Sequence, residues 1–455
     1  MTAGSSATRL LTAVAALAVT PSLLAVPAEA AASGESRVAR ATASRAAAAG
    51  AAAGRTFYVD AKNGSDDAPG TSPDTAWRSL EMANEADLKP GDRLLFRRGG
   101  SWRGTLQISA KGTAKRPIIV GAYGTGARPK ISGRDGDCVV VTGSHVRITA
   151  LRASNCGWAG FQLRGDRNEL RDVYADHNVA GVFVGNNSSH NVIRDSAIVD
   201  NNRMSVNDEE RDNDSGAFGI LLNGDDNLVT GNVISGSFAP SHDYVYDGAA
   251  IEIYNGDRNK ITFNVARNNE TFTELGHEPG RTANDNLFAH NVVISTKKRG
   301  SFLVTRGPRN TALGPVTGTI AVHNSVYLPG RDTIGVSCYD GCSSKILRMR
   351  NNIIKVGGVT GDDDGAGIDD DGGVYWGRVT RFKLGPRSII ADPRFRSASD
   401  LRLRPGSPAI GRGVRLSSSW YGGAGLARDM SGFRLRKLAN PDAGAYQTAA
   451  RRTRN

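Results

Sequence analysis

The sequence predicts an all-β solenoid, a right-handed parallel β-helix, and three observations carry that expectation. The first is repetition. Four stretches read almost alike: GFQLRGDRNELRDVYADHN from Gly160, GVFVGNNSSHNVIRDSAIVDNN from Gly181, GILLNGDDNLVTGNVISGS from Gly219 and AIEIYNGDRNKITFNVARNN from Ala250. Where no insertion intervenes the repeat is roughly 21 to 25 residues, within the range of a stacked unit. The second is periodicity. Apolar residues alternate with period two in triplets broken by turn residues, where a helical repeat would space them at 3.6. The third is the Asn that recurs before each apolar pair. Asn tolerates the left-handed turn conformation, and its amide can bond along a column of identical turns. Three short strands and three bends per coil follow.

Taken in order, residues 1–30 read as a secretory signal. Arg9 supplies the positive start, Leu10–Val26 a short apolar run, and Ala28-Glu29-Ala30 a small-residue cleavage site. Pro21 and Pro27 interrupt that run, which is too short to span a bilayer. No later stretch is long and apolar enough, so the mature chain is expected to be secreted and free of membrane. Residues 31–54 are Ala-rich without an apolar face and read as a disordered spacer. Residues 55–447 are expected to form the β-helix with a cap at each end, and residues 448–455 a basic disordered tail. FYVDAKNGSDDAPGTSPDTAWRSL gives a strand, a Gly/Asp/Pro-rich loop and a short amphipathic helix through Trp77, Leu80 and Ala83, which would cover the open end of the solenoid. LKPGDRLLFRRGGSWRGTLQI and RPIIVGAYGTGARPKISG complete the first coil. After Phe302 the ladder is less regular, Trp376 and Phe382 fall in the last coils, and the stretch 415–447 with Trp420, Phe433 and Tyr446 would close the C-terminal edge.

The entry motifs also carry a family resemblance. YVD-x-x-NGSD, GT-S-P-x-T-A-W, PGD-x-x-F-x-x-G and P-I-x-x-x-A-Y-G-x-G resemble the N-terminus of secreted right-handed β-helix proteins of the pectate-lyase-like superfamily. ADPRFRSASDLRLRPGSPAIGRG from Ala391 and PDAGAY from Pro441 are similar to that group's closing segment. The resemblance covers about residues 56–447. It implies carbohydrate association, and it leaves the reaction open, because the superfamily contains polysaccharide lyases, glycoside hydrolases, epimerases and binding proteins.

Charge and cysteines narrow the partners. The formal net charge is +12, and the four Arg and two Glu of residues 1–54 with the three Arg after Gln447 leave +7 on the body between. A basic exported protein suits an acidic extracellular polysaccharide, although a generically basic surface accounts for the charge equally well. No nucleic-acid motif is present, so no nucleic-acid partner is expected, and the chain is expected to act as a monomer. Cys338 and Cys342 enclose a short loop suited to a local disulfide. Cys138 and Cys156, on adjacent coils, either pair or remain buried thiols. No Cys or His spacing fits zinc. The Asp-rich GDDDGAGIDDDGG at 361–373 lacks ordered calcium-loop spacing and reads as a solvated turn. His145, His177, His190, His290 and His323 lie in turn or third-segment positions and read as hydrogen-bonded surface or ladder residues.

The chemistry is sought where the ladder is interrupted. Arg203–Ala217, Phe238–Ala249 and Glu270–Asp285 read as insertions at one position of successive coils, so they should stack on one side as the rim of a groove. That rim would carry His242, Asp243, Tyr244, Tyr246, Asp247, Glu274 and His277. Alternation sets the floor: Ile251 and Ile253 point inward, so Glu252 and Tyr254 face out, as do Leu221 and Asn223 one coil earlier and Gln162 and Arg164 further up. Arg306 falls near the exit of FLVTR. Glu252, in an otherwise apolar strand, is the leading catalytic or metal-binding candidate. A uronate lyase would hold Ca²⁺ with Asp243, Asp247 and Glu252 and draw its base from Lys260, Lys297 or Arg306, although no Lys clearly sits beside Glu252. A glycoside hydrolase would pair Glu252 with Asp247 or Glu274 and stack sugar on Tyr244, Tyr246 and Tyr254. Asn223 and His277 join the substrate-binding candidates, and His242 the catalytic ones. β-Elimination on an acidic glycan is the leading expectation, hydrolysis by paired carboxylates the alternative, and a non-catalytic carbohydrate-binding solenoid the third.

Overall fold

The structure is a computed structural model that describes residues 54–423, 428–435 and 440–448. The expected signal, the spacer up to residue 53 and the basic tail from residue 449 lie outside the described residues. Three long parallel sheets run side by side, of 11, 12 and 12 strands, and the chain visits each once per coil. The 11-stranded sheet, from Leu106–Ile108 to Val379–Arg381, is termed the groove sheet. The second sheet starts at Thr56–Val59 and ends at Asp369–Asp371; the third runs from Ser101–Arg103 to Ile389–Ile390. This is the right-handed parallel β-helix that the repeats predict.

Inward positions stack in register and make the core. On the groove sheet Phe161, Val182, Ile220 and Ile251 align, with Leu163, Val184, Leu222 and Ile253 two residues on. Leu170, Ile193, Val229, Ile261 and Phe288 form the matching column of the second sheet, and Ala175, Ile198, Ile234, Ala266 and Val293 that of the third. Almost all are fully buried. A strand of three residues buries too little to be stable alone, so each coil depends on its neighbours.

The Asn ladders are as expected, and each bend has one. Asn168, Asn191, Asn227, Asn259 and Asn286 bond amide to amide at the first bend. Asn232, Asn264, Asn291, Asn324 and Asn352 do so at the second, and Asn178 with Asn201 at the third. Each ladder Asn accepts the backbone N–H of the residue at the same bend one coil earlier, and each but Asn259 also donates its side-chain amide to an oxygen, which satisfies buried polar groups that a bend would otherwise strand. The residue just before the ladder Asn is left-handed: Arg167, His190, Asp226, Arg258 and Asp285 at the first bend, all with φ between 56° and 58°. The turn residues seen in the sequence are thus needed one position ahead of the Asn.

Helix Leu80–Glu85 buries Leu80 and Ala83 and lies on the edge strand Leu106–Ile108. Its Asn84 side chain donates to Thr105 O at 3.0 Å and accepts from Gln107 N at 2.8 Å, so the open edge is bonded. The C-terminal stretch lies elsewhere than expected. It runs along the flank of the later coils, where Val292, Ile294, Ile353 and Val374 face outward and pack with Phe395, Leu403, Ala443 and Ala445. Tyr421 stacks on His290 and His323, with centroids 5.6 and 5.9 Å away. Both His are buried; His323 is hydrogen-bonded to Gly444 O and Asn351 Nδ2, as expected of a ladder residue, whereas neither ring nitrogen of His290 has a hydrogen-bond partner among the described residues. The apolar outer face of these coils explains the placement, since it must be covered.

Both cysteine pairs form disulfides, Cys138–Cys156 and Cys338–Cys342. The Asp-rich stretch is not a solvated turn. Asp362 and Asp363 end groove strand Val359–Asp363, and Asp369–Asp371 is the last strand of the second sheet. There Asp370 is buried and accepts from Tyr375 Oη at 2.5 Å.

Candidate functional site

The outer face of the groove sheet changes character along the axis. One outward column reads Gln162, Phe183, Leu221, Glu252, Glu274, Val304, Ser337 and Asp362. Beside it, two residues on, Asn223, Tyr254 and Arg306 face out of the same sheet. Glu252 and Glu274 therefore stand in register on adjacent strands, Ala249–Tyr254 and Thr271–Gly276, roughly 5 Å apart at their backbones. Both are buried, Glu252 at 5% exposure and Glu274 at 2%.

This corrects the sequence reading of Glu270–Asp285. That stretch is not one rim insertion: Thr271–Gly276 is a floor strand, and only the residues from His277 onward leave the sheet. Glu274 belongs to the floor, next to Glu252. Arg306, the last residue of strand Arg299–Arg306, reaches back to Glu274 in a buried ion pair and donates from Nη1 to Leu275 O at 2.6 Å. A charge-assisted bond of this kind fixes the guanidinium in one orientation. Burial foremost, then the negative charges of Glu278 and Glu252, push the Tyr254 phenol up to about 12. It stays protonated and remains a hydrogen-bond donor across the physiological range.

Walls rise on both sides of this floor. On the side where the chain enters the groove strands stand two hairpins, Met204–Val206 with Ser215–Gly216 and Ala239–Ser241 with Val245–Asp247. Each returns through a glycine just ahead of its groove strand. A Cβ on Gly216 would lie 2.5 Å from Met204 Cα, and one on Gly248 2.6 Å from Ser237 O. Asp214 and Asp243 clamp the hairpins together: Asp243 accepts from the amides of Asn213 and Asp214, and Asp214 accepts from Asp243 N and from Ser241 Oγ at 2.6 Å. The far wall is loop 277–286 with loop 307–318. His277 stands between the carbonyls of Glu278 and Pro315 and ties the two loops, while Leu313 lies against Gly276 and clusters with Tyr254 and Leu221. The loop carrying Leu313 was not foreseen from the sequence.

The expected site residues thus separate. Glu252, Glu274, Arg306, Tyr254 and Asn223 share the floor. Tyr244 and Asp247 are buried in the second hairpin, where Tyr246 is exposed and packs on Phe238 at 4.6 Å. His242 is exposed at the hairpin tip. Asp243, Asp247 and Glu252 do not gather: among the described residues no three of His, Cys, Asp and Glu converge to hold a metal ion. Missed by the sequence reading were Trp158, Phe183 and Phe218, an aromatic cluster on the same face. For Phe183 the signal was the outward parity that already assigned Gln162 and Leu221; Phe218 has the opposite parity and carried no such signal.

Comparison with known proteins adds the following. A family described as periplasmic copper-binding protein (NosD) matches residues 118–305. The lacto-N-biosidase of Bifidobacterium longum subsp. longum is 39% identical over 75 residues, 16% of this chain and 5% of that protein, so the chain spans only a small part of this relative's length. Among solved structures, pectate lyase Pel9A superposes with a TM-score of 0.58 at 16% identity, covering 88% of this chain and 97% of that one. A GH136 lacto-N-biosidase from Eubacterium ramulus superposes with a TM-score of 0.54 at 15% identity, covering 74% and 67%. These structures share the parallel β-helix fold with this chain.

Proposed function

We propose that this right-handed parallel β-helix protein is an exported glycan-degrading enzyme that hydrolyses glycosidic bonds with Glu252 and Glu274. The observation that carries the reading is their register: two buried carboxylates, side by side, at the floor of a walled groove. Hydrolysis of a glycoside needs one carboxyl group to protonate the leaving oxygen and a second to act as nucleophile or base. Glu274, paired with Arg306, is suited to the carboxylate role, because the guanidinium balances its charge before and after substrate binds. Glu252, between Leu221 and Glu274 in the column, is assigned the acid role. Tyr254, buried beside the pair and held protonated, is assigned as a hydrogen-bond donor to the substrate.

β-Elimination needs a base at the substrate's C5 proton. Arg306 is a poor one here, since its protons are held by Glu274 and Leu275 O. Lys260 donates to Gly422 O at 2.9 Å on the second sheet, and Lys297 lies over the Phe238 ring at 4.6 Å on the rim. The names of the similar proteins, lacto-N-biosidase and pectate lyase, both denote enzymes acting on glycans. Export is supported by the leader-like start of the sequence, by two disulfides, and by the periplasmic description of the matching family.

The test is a digest of neutral and acidic glycans, with and without chelator, read by reducing ends and ultraviolet absorbance together. Hydrolysis gives reducing ends without a new chromophore, insensitive to chelator, and Glu252→Gln abolishes them. A new chromophore would mean elimination, and unchanged turnover by Glu252→Gln would remove the proposed centre.

A further inference from the structure

We infer that the groove's N-terminal half is a subsite for an uncharged saccharide, built on Trp158, Phe183 and Phe218 with Gln162 and Asn223 as its polar contacts. This rests on the glycan-degrading reading and names its substrate class. Trp158 meets Phe183 edge-on, with centroids 5.9 Å apart and planes at 82°, and meets Phe218 at 6.3 Å and 71°. Phe218 is buried, whereas Trp158 and Phe183 keep part of their surface in the groove. Phe183 occupies the Glu252 column two coils earlier, roughly 10 Å along the axis. A pyranose ring is about as long as one coil is high, so a chain lying along the sheet would carry its second ring beyond the cleaved bond onto this platform. Aromatic faces take the C–H face of a sugar ring.

The polar contacts decide the charge. Gln162 is only 5% exposed, in the same outward column, and its Oε1 accepts no hydrogen bond from the described residues. Asn223, one coil before Tyr254 in the neighbouring column, also has a buried Oδ1 that accepts none. A buried acceptor left so is costly, on the order of 1–3 kcal/mol, unless a ligand donor reaches it. Both atoms call for ligand donors, such as sugar hydroxyls or an acetamido N–H, and both repel a carboxylate. The cations at the border lie off the platform: Arg164 stands 4.0 Å from Asp137 in the neighbouring column, and Arg203 Nη1 is fixed on Cys156 O at 2.7 Å. A uronate ring on the platform would meet only the uncharged Gln162, Phe183 and Leu221 of the outward column, with no bidentate cation among them.

The experiment is calorimetric titration of full-length Glu252→Gln with neutral tetrasaccharides of the N-acetyllactosamine and cello types and with a tetragalacturonide. At least one neutral ligand should bind and the uronate should not. Phe183→Ala and Gln162→Leu, each added to Glu252→Gln, should weaken neutral binding about tenfold or more. Urea midpoints matched to the parent show that these variants are folded. Tighter binding of the uronate, no binding of any neutral ligand, or unchanged affinity in both platform variants would overturn the subsite. Turnover by Glu252→Gln would instead sink the carboxylate pair and leave the platform to be judged by binding alone.

Discussion

Replacing Arg306 by Met separates the structural from the chemical part of the proposed centre. The Glu274–Arg306 pair is almost wholly excluded from water, with side-chain exposures of 2% and 5%. In Arg306→Met the Glu274 carboxylate loses its counter-ion, and Leu275 O loses a 2.6 Å bond, while an unbranched apolar chain fills most of the space. Removing one partner of a buried ion pair costs about 3–5 kcal/mol, whereas replacing both by neutral groups is often close to neutral. Arg306→Met should therefore lower unfolding stability by about 4 kcal/mol, and Arg306→Met with Glu274→Gln should recover most of it. The assay is a double-mutant cycle by urea denaturation, scored beside reducing-end turnover. Stability should return in the double variant and activity should not, because the second carboxyl group is gone. A coupling energy below about 0.5 kcal/mol would refute the pairing. Recovery of turnover with stability would refute the catalytic assignment of Glu274.

Three further outcomes follow from other parts of the molecule. Asn264→Ala removes bonds to Asn232 N, Asn232 Nδ2, Val229 O and Asn291 Oδ1, and should cost about 4 kcal/mol at roughly 1 kcal/mol per bond, where exposed Asn207→Ala should cost under about 0.5; urea midpoints compare them. Burial holds His323 down from 6.5 to about 4, so the unfolded chain takes up a proton first as pH falls; stability is full above pH 6.5 and about 3 kcal/mol of it is lost between there and pH 4, a slope that His323→Asn should flatten in melts across that range. Cys138→Ala with Cys156→Ala opens a loop of sequence separation 18 and should cost about 2–4 kcal/mol, with the melting temperature of the wild type falling further under reductant than that of the variant, which keeps only Cys338–Cys342.

The fold was legible because the β-helix repeats its constraints. Every coil restates the same inward triplets and ladder Asn, so one unclear coil could not hide the architecture. The site was less legible for the opposite reason, since it lies where the repeat lapses. In Thr271–Gly276 the inward positions include Thr273 as well as Leu275, and the entry lacks the Gly or Ala of its neighbours, so the strand read as an insertion. The ladder itself held the missing signal. Asn264 to Asn291 spans 27 residues, close to the 23 from Asn168 to Asn191, which leaves no room for both a strand and a long insertion. Asn291 to Asn324 spans 33, and that excess of about ten marks the unforeseen loop carrying Leu313. Side-chain pairing was out of reach for a different reason. Nothing in the order of residues says that Arg306 bends back one coil to Glu274, nor that Asp214 and Asp243 spend their oxygens on backbone amides of facing hairpins.

A solenoid constrains chemistry differently from a compact domain. Its strands deliver outward side chains in fixed steps of roughly 5 Å along one axis, so neighbouring coils meet neighbouring units of a bound polymer. Along the outward column that step carries the groove from Gln162 and Phe183 through Leu221 to Glu252 and Glu274, from apolar contact to charge within four coils. Changing one outward residue leaves the inward triplet and the ladder Asn of its coil untouched, since they point the other way. The inward residues and the bends are therefore held by packing, while the outward column is free to vary with substrate. For that reason, on the proposed function, the residues beside Phe183 and Glu252 in the outward column, and not the strength of the fold beneath them, would decide which glycan is accepted.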